Sequence, residues 1–142
     1  MKKLVTATAA LLFMANANAQ VTWKMDNSHS KVGFSVVHAM VSETEGKFKM
    51  YDGGCTSKTE NDFTDAKITF TADAPSINTD DEKRDGHLKS PDFFDVAKFP
   101  NITFVSTSMK KSTKGGANTY ELEGDLTMHG VTKHVKLVAI GA

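Results

Sequence analysis

A single cysteine, Cys55, stands in a chain of 142 residues, so no internal disulfide can form. The chain must be stabilised by its apolar core, and 142 residues suffice for one such core but not comfortably for two. Charge of one sign is equally scarce, with 17 Lys and Arg against 17 Asp and Glu. That balance lacks the basic excess that neutralises phosphates, and nucleic acid is not expected as a partner. There is one long apolar run, Leu4 to Met14, shorter than the roughly 20 residues that span a bilayer. Missing too are a Gly-x-Ser-x-Gly elbow, a glycine-rich phosphate loop and any Cys–His arrangement, so no enzymatic activity is expected.

The apolar run follows Lys2 and Lys3 and precedes Ala17-Asn18-Ala19, which has the small-x-small form of a cleavage site. Residues 1–19 therefore read as a signal peptide and 20–142 as the mature, periplasmic or secreted domain. No cysteine follows the cleavage point, so no lipoprotein anchor is expected. Removing Lys2 and Lys3 leaves 15 of the 17 basic residues against 17 acidic ones. No integral membrane segment is expected in the mature chain.

What is present is alternation. Lys31 to His38 places Val32, Phe34, Val36 and His38 on one face, and a short piece from Val21 to Met25 carries the only Trp. Gly46 to Tyr51 puts Phe48 and Met50 inward, and Gly53-Gly54 reads as a turn. Lys67 to Ala72 turns Ile68 and Phe70 inward, and Pro75 ends that strand. Thr79 to Leu88 predicts a short helix with Thr79 or Asp80 as N-cap. After Pro100 a strand carries Ile102 and Phe104 inward to about Lys110. Thr119 to Met128 puts Tyr120, Leu122, Leu126 and Met128 on one face; His129-Gly130 is a tight turn, and Thr132 to Ile140 returns. The fold class is all-β, an antiparallel sheet with one dry and one wet face, curled into a barrel or folded into a sandwich.

Between the helix and the next strand, Pro91 and Pro100 interrupt a segment holding Phe93, Phe94 and Phe99. It is too aromatic for a solvated loop, and reads as a lid or plug at one end of the sheet. Asp92 and Asp95 flank the phenylalanine pair and fit a capping role after Pro91 better than a catalytic dyad. The five histidines, His29, His38, His87, His129 and His134, show no zinc-site spacing. No metal or cofactor is assigned; His38 alone could contact a ligand head group at the rim.

These stretches carry a family pattern. Trp23 to Asp26, Asn27-Ser28-His29-Ser30-Lys31-Val32-Gly33-Phe34-Ser35-Val36-Val37-His38, and Gly46-Lys47-Phe48 resemble the opening of the YceI-like proteins. Arg84-Asp85-Gly86-His87-Leu88, then Phe93-Phe94-Asp95, Phe99-Pro100 and Ile102-Thr103-Phe104, are similar to the family's central motif. Gly124-Asp125-Leu126-Thr127-Met128-His129-Gly130-Val131-Thr132-Lys133 resembles its third signature. The resemblance implies an exported, lipocalin-like antiparallel β-barrel with a short helical insertion and an elongated apolar cavity. It further implies binding of isoprenoid chains, including prenylated quinones, or related long-chain amphiphiles. Family members continue with closing strands beyond the position of Ile140, so a C-terminal segment is expected to be missing and the barrel left open.

The expected ligand-binding set is Phe34, Val36, His38, Phe48, Met50, Ile68, Phe70, Phe94, Ile102, Phe104, Leu122, Leu126 and Met128. Periodicity alone favours ordinary core for these residues, and the resemblance favours a cavity. The expected function is sequestration or transport of an isoprenoid-like or fatty-chain lipid. The alternative is a non-carrier stress or structural protein with a side-chain-filled barrel, and a homodimer is compatible with either.

Overall fold

The computed structural model describes residues 20–38 and 42–141, with only the backbone of His38 described; the expected leader, 1–19, lies outside the described residues. Strands β1 (Val21–Lys24), β4 (Tyr51–Ser57), β5 (Lys67–Asp73), β7 (Asn101–Lys111), β8 (Thr119–Met128) and β9 (Val131–Ile140) form one six-stranded sheet in that order. Strands β2 (Val32–His38), β3 (Ser42–Phe48) and β6 (Ile77–Asn78) form a second sheet in the order β2-β3-β6. Every ladder is antiparallel. The helix α1 (Glu82–Lys89) and the aromatic segment after it connect β6 to β7.

The expectation of one barrel meets two sheets, and two bends account for the division. Lys49 and Met50 turn the chain from β3 in the small sheet to β4 in the large one. The 3₁₀ turn Ala74–Ser76, with Pro75 inside it, takes the chain back from β5 to β6. The two bends are tied together: Met50 N donates to Ser76 Oγ at 3.0 Å, and Asp73 N donates to the Met50 carbonyl at 2.9 Å. Among the described residues no backbone ladder joins the two sheets into a ring.

Three local expectations need correction. Gly53 and Gly54 are not a turn but the middle of β4, paired on both sides. Glycine is a weak strand former, yet two flanking strands override that preference. Those strands also come close: a Cβ on Gly53 would lie 3.1 Å from the Thr69 carbonyl oxygen, and one on Gly54 3.2 Å from that of Trp23. The helix starts later than expected because Thr79 is otherwise engaged: its N–H and hydroxyl both donate to the buried Asp85, at 2.8 and 2.6 Å. Asp81 is the N-cap, accepting from Arg84 N at 2.9 Å. Finally, no helix restarts after Pro91 for Asp92 or Asp95 to cap, since residues 91–94 form turns. Asp95 instead takes a left-handed φ of +46° and accepts from Lys98 N and Phe99 N through its carbonyl, each at 2.9 Å.

The interior has two apolar centres. In the first, Phe48 and Ile77 of the small sheet meet Ala72, Ala74 and Ile102, with Leu88, Phe94 and Val96 packed on top. In the second, Ala66, Phe104, Met109, Tyr120 and Leu122 are packed against Cys55, Phe63, Ile68, Val135 and Ala139. Phe70 and Leu126 touch both, so the two centres form one continuous apolar interior.

Candidate functional site

On the dry face of the large sheet, alternation brings Trp23 and Met25 from the β1 edge, Gly53 and Cys55 of β4, and Ile68 and Phe70 of β5 to one place. They border an open hollow of about 430 Å³, which Lys24, Gly54, Thr69, Asp26 and Ser30 also line. Gly53 lets its neighbours close in: a Cβ there would lie 3.1 Å from the Thr69 carbonyl oxygen and 3.4 Å from both Met25 Cε and Phe70 Cδ2. A larger hollow of about 700 Å³ lies over the same strands, but Thr22, Thr56, Lys67, Thr69, Thr71 and Asp52 line it. Those residues belong to the wet face, so volume alone does not pick the site.

Trp23, at one end of the inner hollow, begins an aromatic row that continues away from it. Trp23 and Phe63 have ring centroids 5.8 Å apart, and Phe63 meets Tyr120 edge to face at 6.1 Å. The row is pinned by polar contacts: the Trp23 indole N–H donates to Ser57 Oγ at 3.0 Å, and that hydroxyl donates to the Thr59 carbonyl at 2.7 Å. At the border, Tyr51 donates its hydroxyl proton to the Ser30 carbonyl at 2.6 Å. Asp26 accepts from Ser28 N at 2.9 Å, Ser28 Oγ at 2.5 Å and the His29 ring at 2.7 Å. The Ser28 hydroxyl first, and His29 next, hold the Asp26 carboxyl below the usual carboxylate range. Burial pushes the Cys55 thiol up, which keeps it neutral; it lines the wall as a small apolar group and is not poised as a nucleophile.

The lid end is sealed. Phe94 packs edge to face on Phe48 at 6.0 Å, and Phe48 meets Phe34 at 5.8 Å. Phe93 does not share this role; it is 48% exposed and presents its ring to His87. The segment is held from the other side by the β8–β9 turn. His129 donates from Nδ1 to the Phe93 carbonyl and stacks on Phe99 at 5.1 Å. Gly130 has φ +69° there, and a Cβ would fall 2.6 Å from Phe99, so both backbone shape and space require glycine. The histidines are dispersed: His87 faces Asp92, and His134 lies between Asp125 and Glu123 on the wet face. Among the described residues no group of three His, Cys, Asp or Glu is placed to hold a metal.

Of the expected ligand-binding residues, only Ile68 and Phe70 border the hollow. Phe48, Ile102, Phe104 and Leu122 are buried in the two packed centres, and Phe34, Phe94 and Leu126 pack against them half-buried. Three residues do not face a covered interior. Met50 is 62% exposed because it sits on the bend between sheets. Val36 is 55% exposed in the part of the β2–β3 hairpin beyond its contact with β6, which reaches only Lys47 and Phe48. Met128 is 40% exposed where β8 runs into its tight turn. The side chain of His38 lies outside what is described. Sequence reasoning missed Trp23, Met25, Gly53 and Cys55. Their signal is a shared strand face, hidden once Gly53-Gly54 is read as a turn.

The YceI-like domain profile matches residues 23–141, which spans the described domain and its hollow. The chain belongs to the YceI-like domain family. It is 38% identical to Protein YceI of Escherichia coli over 133 residues, covering 92% of this chain and 67% of that one. BcnA of Burkholderia cenocepacia superposes with a TM-score of 0.70 at 27% identity, over 80% of this chain and 68% of that structure. A polyisoprenoid binding domain from Saccharophagus degradans, implicated in plant cell wall breakdown, shares the fold at a TM-score of 0.50 and 15% identity, over 87% and 63%. The YceI-like chain thus spans about two thirds of the length of these relatives.

Proposed function

We propose that this YceI-family chain is an exported binding protein that holds an isoprenoid-like or other long-chain lipid against the dry face of its large sheet. The observation that carries this reading is the apolar hollow of about 430 Å³ walled by Trp23, Met25, Cys55, Ile68 and Phe70. Binding works by burial, each methylene removed from water contributing about 0.8 kcal/mol. The chemistry of the wall fits a passive container better than a catalyst: its one nucleophilic atom, the Cys55 sulfur, is held neutral. The two sheets are read as opposite walls of a lipocalin-like barrel, with Phe70 and Leu126 carrying the apolar interior from one centre to the other. The leader-like residues 1–19 support periplasmic delivery. The fold shared with the Saccharophagus degradans domain says that such an architecture accommodates a polyisoprenoid; this chain's own ligand rests on its wall.

The test uses the purified full chain. Organic extracts are analysed by mass spectrometry for a co-purifying lipid, and a prenylated quinone is titrated while Trp23 fluorescence is followed. A retained lipid, or a saturable change at Trp23, supports the carrier. No lipid together with no fluorescence response removes it. It leaves the side-chain-filled structural protein, which the tight packing around Phe48 favours.

A further inference from the structure

We infer that the outer edge of β9 pairs with the β9 of a second copy, antiparallel and about a two-fold axis through Leu137. Among the described residues β9 forms a ladder with β8 alone. The Gly141 N–H donates to the Asn118 carbonyl, so by alternation the odd positions of β9 spend their backbone groups on β8. The even ones, Thr132, His134, Lys136, Val138 and Ile140, turn theirs away from the sheet. A ten-residue edge of this kind is a template for another strand, and native sheets ordinarily blunt it. The opposite edge of the same sheet is blunted, since β1 is only four residues long. β9 is not. From Leu137 to Ile140 it is apolar on both faces: Val138 is 70% and Ile140 79% exposed on the wet face, and Leu137 45% on the dry one.

Charge selects both the occupant and the register. Facing side chains of an antiparallel pair share a face of the sheet, so two copies of one strand are symmetric across a single residue. Centred on Lys136, lysine would face lysine; centred on Val135, His134 would face Lys136. Like charges directly opposite are destabilising. Centred on Leu137, leucine faces leucine on the dry side, Lys136 faces Val138 and His134 faces Ile140. Centres nearer the strand end pair fewer residues. The cations of β9 are also compensated within each copy, since Lys136 lies 2.9 Å from Glu123 and His134 3.0 Å from Asp125. The edge is therefore self-complementary, and pairing joins two six-stranded sheets into one.

The test sediments the purified full chain over a micromolar concentration series. The expected result is a shift from the mass of one copy to that of two. Val138→Lys sets a lysine opposite Lys136 of the second copy and weakens the dimer by about tenfold or more. Val105→Lys, in the middle of the wet face, and Val37→Lys, on the outer edge of β2, also replace exposed valines and leave the dimer unchanged. In a Cys55→Ser background, Leu137→Cys gives a disulfide-linked dimer, because facing residues of this kind bring their Cα atoms to about 4.5 Å; Thr132→Cys does not. A single-copy mass throughout overturns the pairing. So does a dimer that Val138→Lys leaves intact, that Val37→Lys dissolves, or that Leu137→Cys fails to link. A single copy whose Val138 and Ile140 amides resist exchange has a segment of its own chain on the edge, which overturns it equally. Circular dichroism of the variants separates lost pairing from lost folding.

Discussion

The two halves of the interior are built from the same residue types and end in opposite states. Around Phe48 the apolar side chains interlock: Phe34, Phe48 and Phe94 form a chain of ring contacts over Ala72, Ala74 and Ile102. Around Cys55 a smaller set of apolar residues borders an open hollow of about 430 Å³. Hydrophobicity therefore does not decide which half is empty. The lid half receives three layers, namely the small sheet, the large sheet and the α1 segment. The other half receives only the large sheet, whose edge there is the four-residue β1, with Gly53 on the neighbouring strand. A hollow survives where the fold supplies too few side chains to fill it.

The largest test of that contrast is Phe48→Ala. The ring is 8% exposed and in contact with two other phenylalanines, so its removal leaves a cavity in the packed half. Urea unfolding should show a loss of about 3–5 kcal/mol, while Trp23 keeps its native fluorescence in the folded fraction. A loss below about 1 kcal/mol would mean the lid half is no better packed than the other. The second test is Gly53→Val, which fills the hollow from within. Its branches enter between Met25 and Phe70, and the Thr69 carbonyl must give way by a few tenths of an ångström. The expected cost is about 1–3 kcal/mol, with the lipid-dependent change at Trp23 abolished in a folded protein. Retained binding in Gly53→Val would place the ligand elsewhere.

Strand β8 was legible because it alternates over ten residues; it occupies Thr119–Met128, as its pattern of Tyr120, Leu122 and Leu126 predicts. The division into two sheets was not. Lys49-Met50 continues the alternation begun at Phe48, and only the pairing of β4 with β1 and β5 reveals that the chain bends there. Local pattern carries face, not partner. The candidate site was half visible for a related reason. Ile68 and Phe70 advertise a dry face, whereas Gly53 contributes by lacking a side chain. An absence reads as a turn until neighbouring strands are seen on both sides. His129 was legible as a turn residue, but its bond to the Phe93 carbonyl joins positions 36 apart and has no local signature.

The lid supplies the third and smaller test. Phe94 is half-buried on Phe48, so Phe94→Ala should cost about 1–2 kcal/mol, less than Phe48→Ala. If the lid half is a plug, as its packing says, the rate at which a bound lipid leaves is unchanged in this variant. Stopped-flow release that accelerates several-fold would make the segment a gate and erase the distinction between a sealed end and an open one.

The smallest effect is expected at the outer surface of the hollow half. There β9 is held on β8 by Val135 and Ala139 inside and by a charged row outside. His134 Nδ1 lies 3.0 Å from Asp125 and Nε2 3.3 Å from Glu123, while Lys136 reaches Glu123 at 2.9 Å. Asp125 first, and Glu123 next, raise the His134 imidazole above its ordinary value of 6.5. A group whose pKa is raised by folding contributes stability that is fully present below 6.5 and is lost as pH rises through the folded value. Glu123 runs the other way: held below its ordinary 4.5 by Lys136 first and His134 next, its contribution is present above 4.5 and is lost as pH falls through the lowered value. The attachment of β9 is therefore strongest between those limits. Because all these groups are solvent-exposed, the change is small, and amide exchange reads it better than global unfolding does. After correction for the intrinsic exchange rate, protection of the β9 amides should decline as pH is raised above 6.5, and the decline should be absent in His134→Gln. Protection of the Phe48 amide should be flat across the same range. If both regions respond alike, the hollow half has no separate local stability, and its openness must be explained by its side-chain count alone.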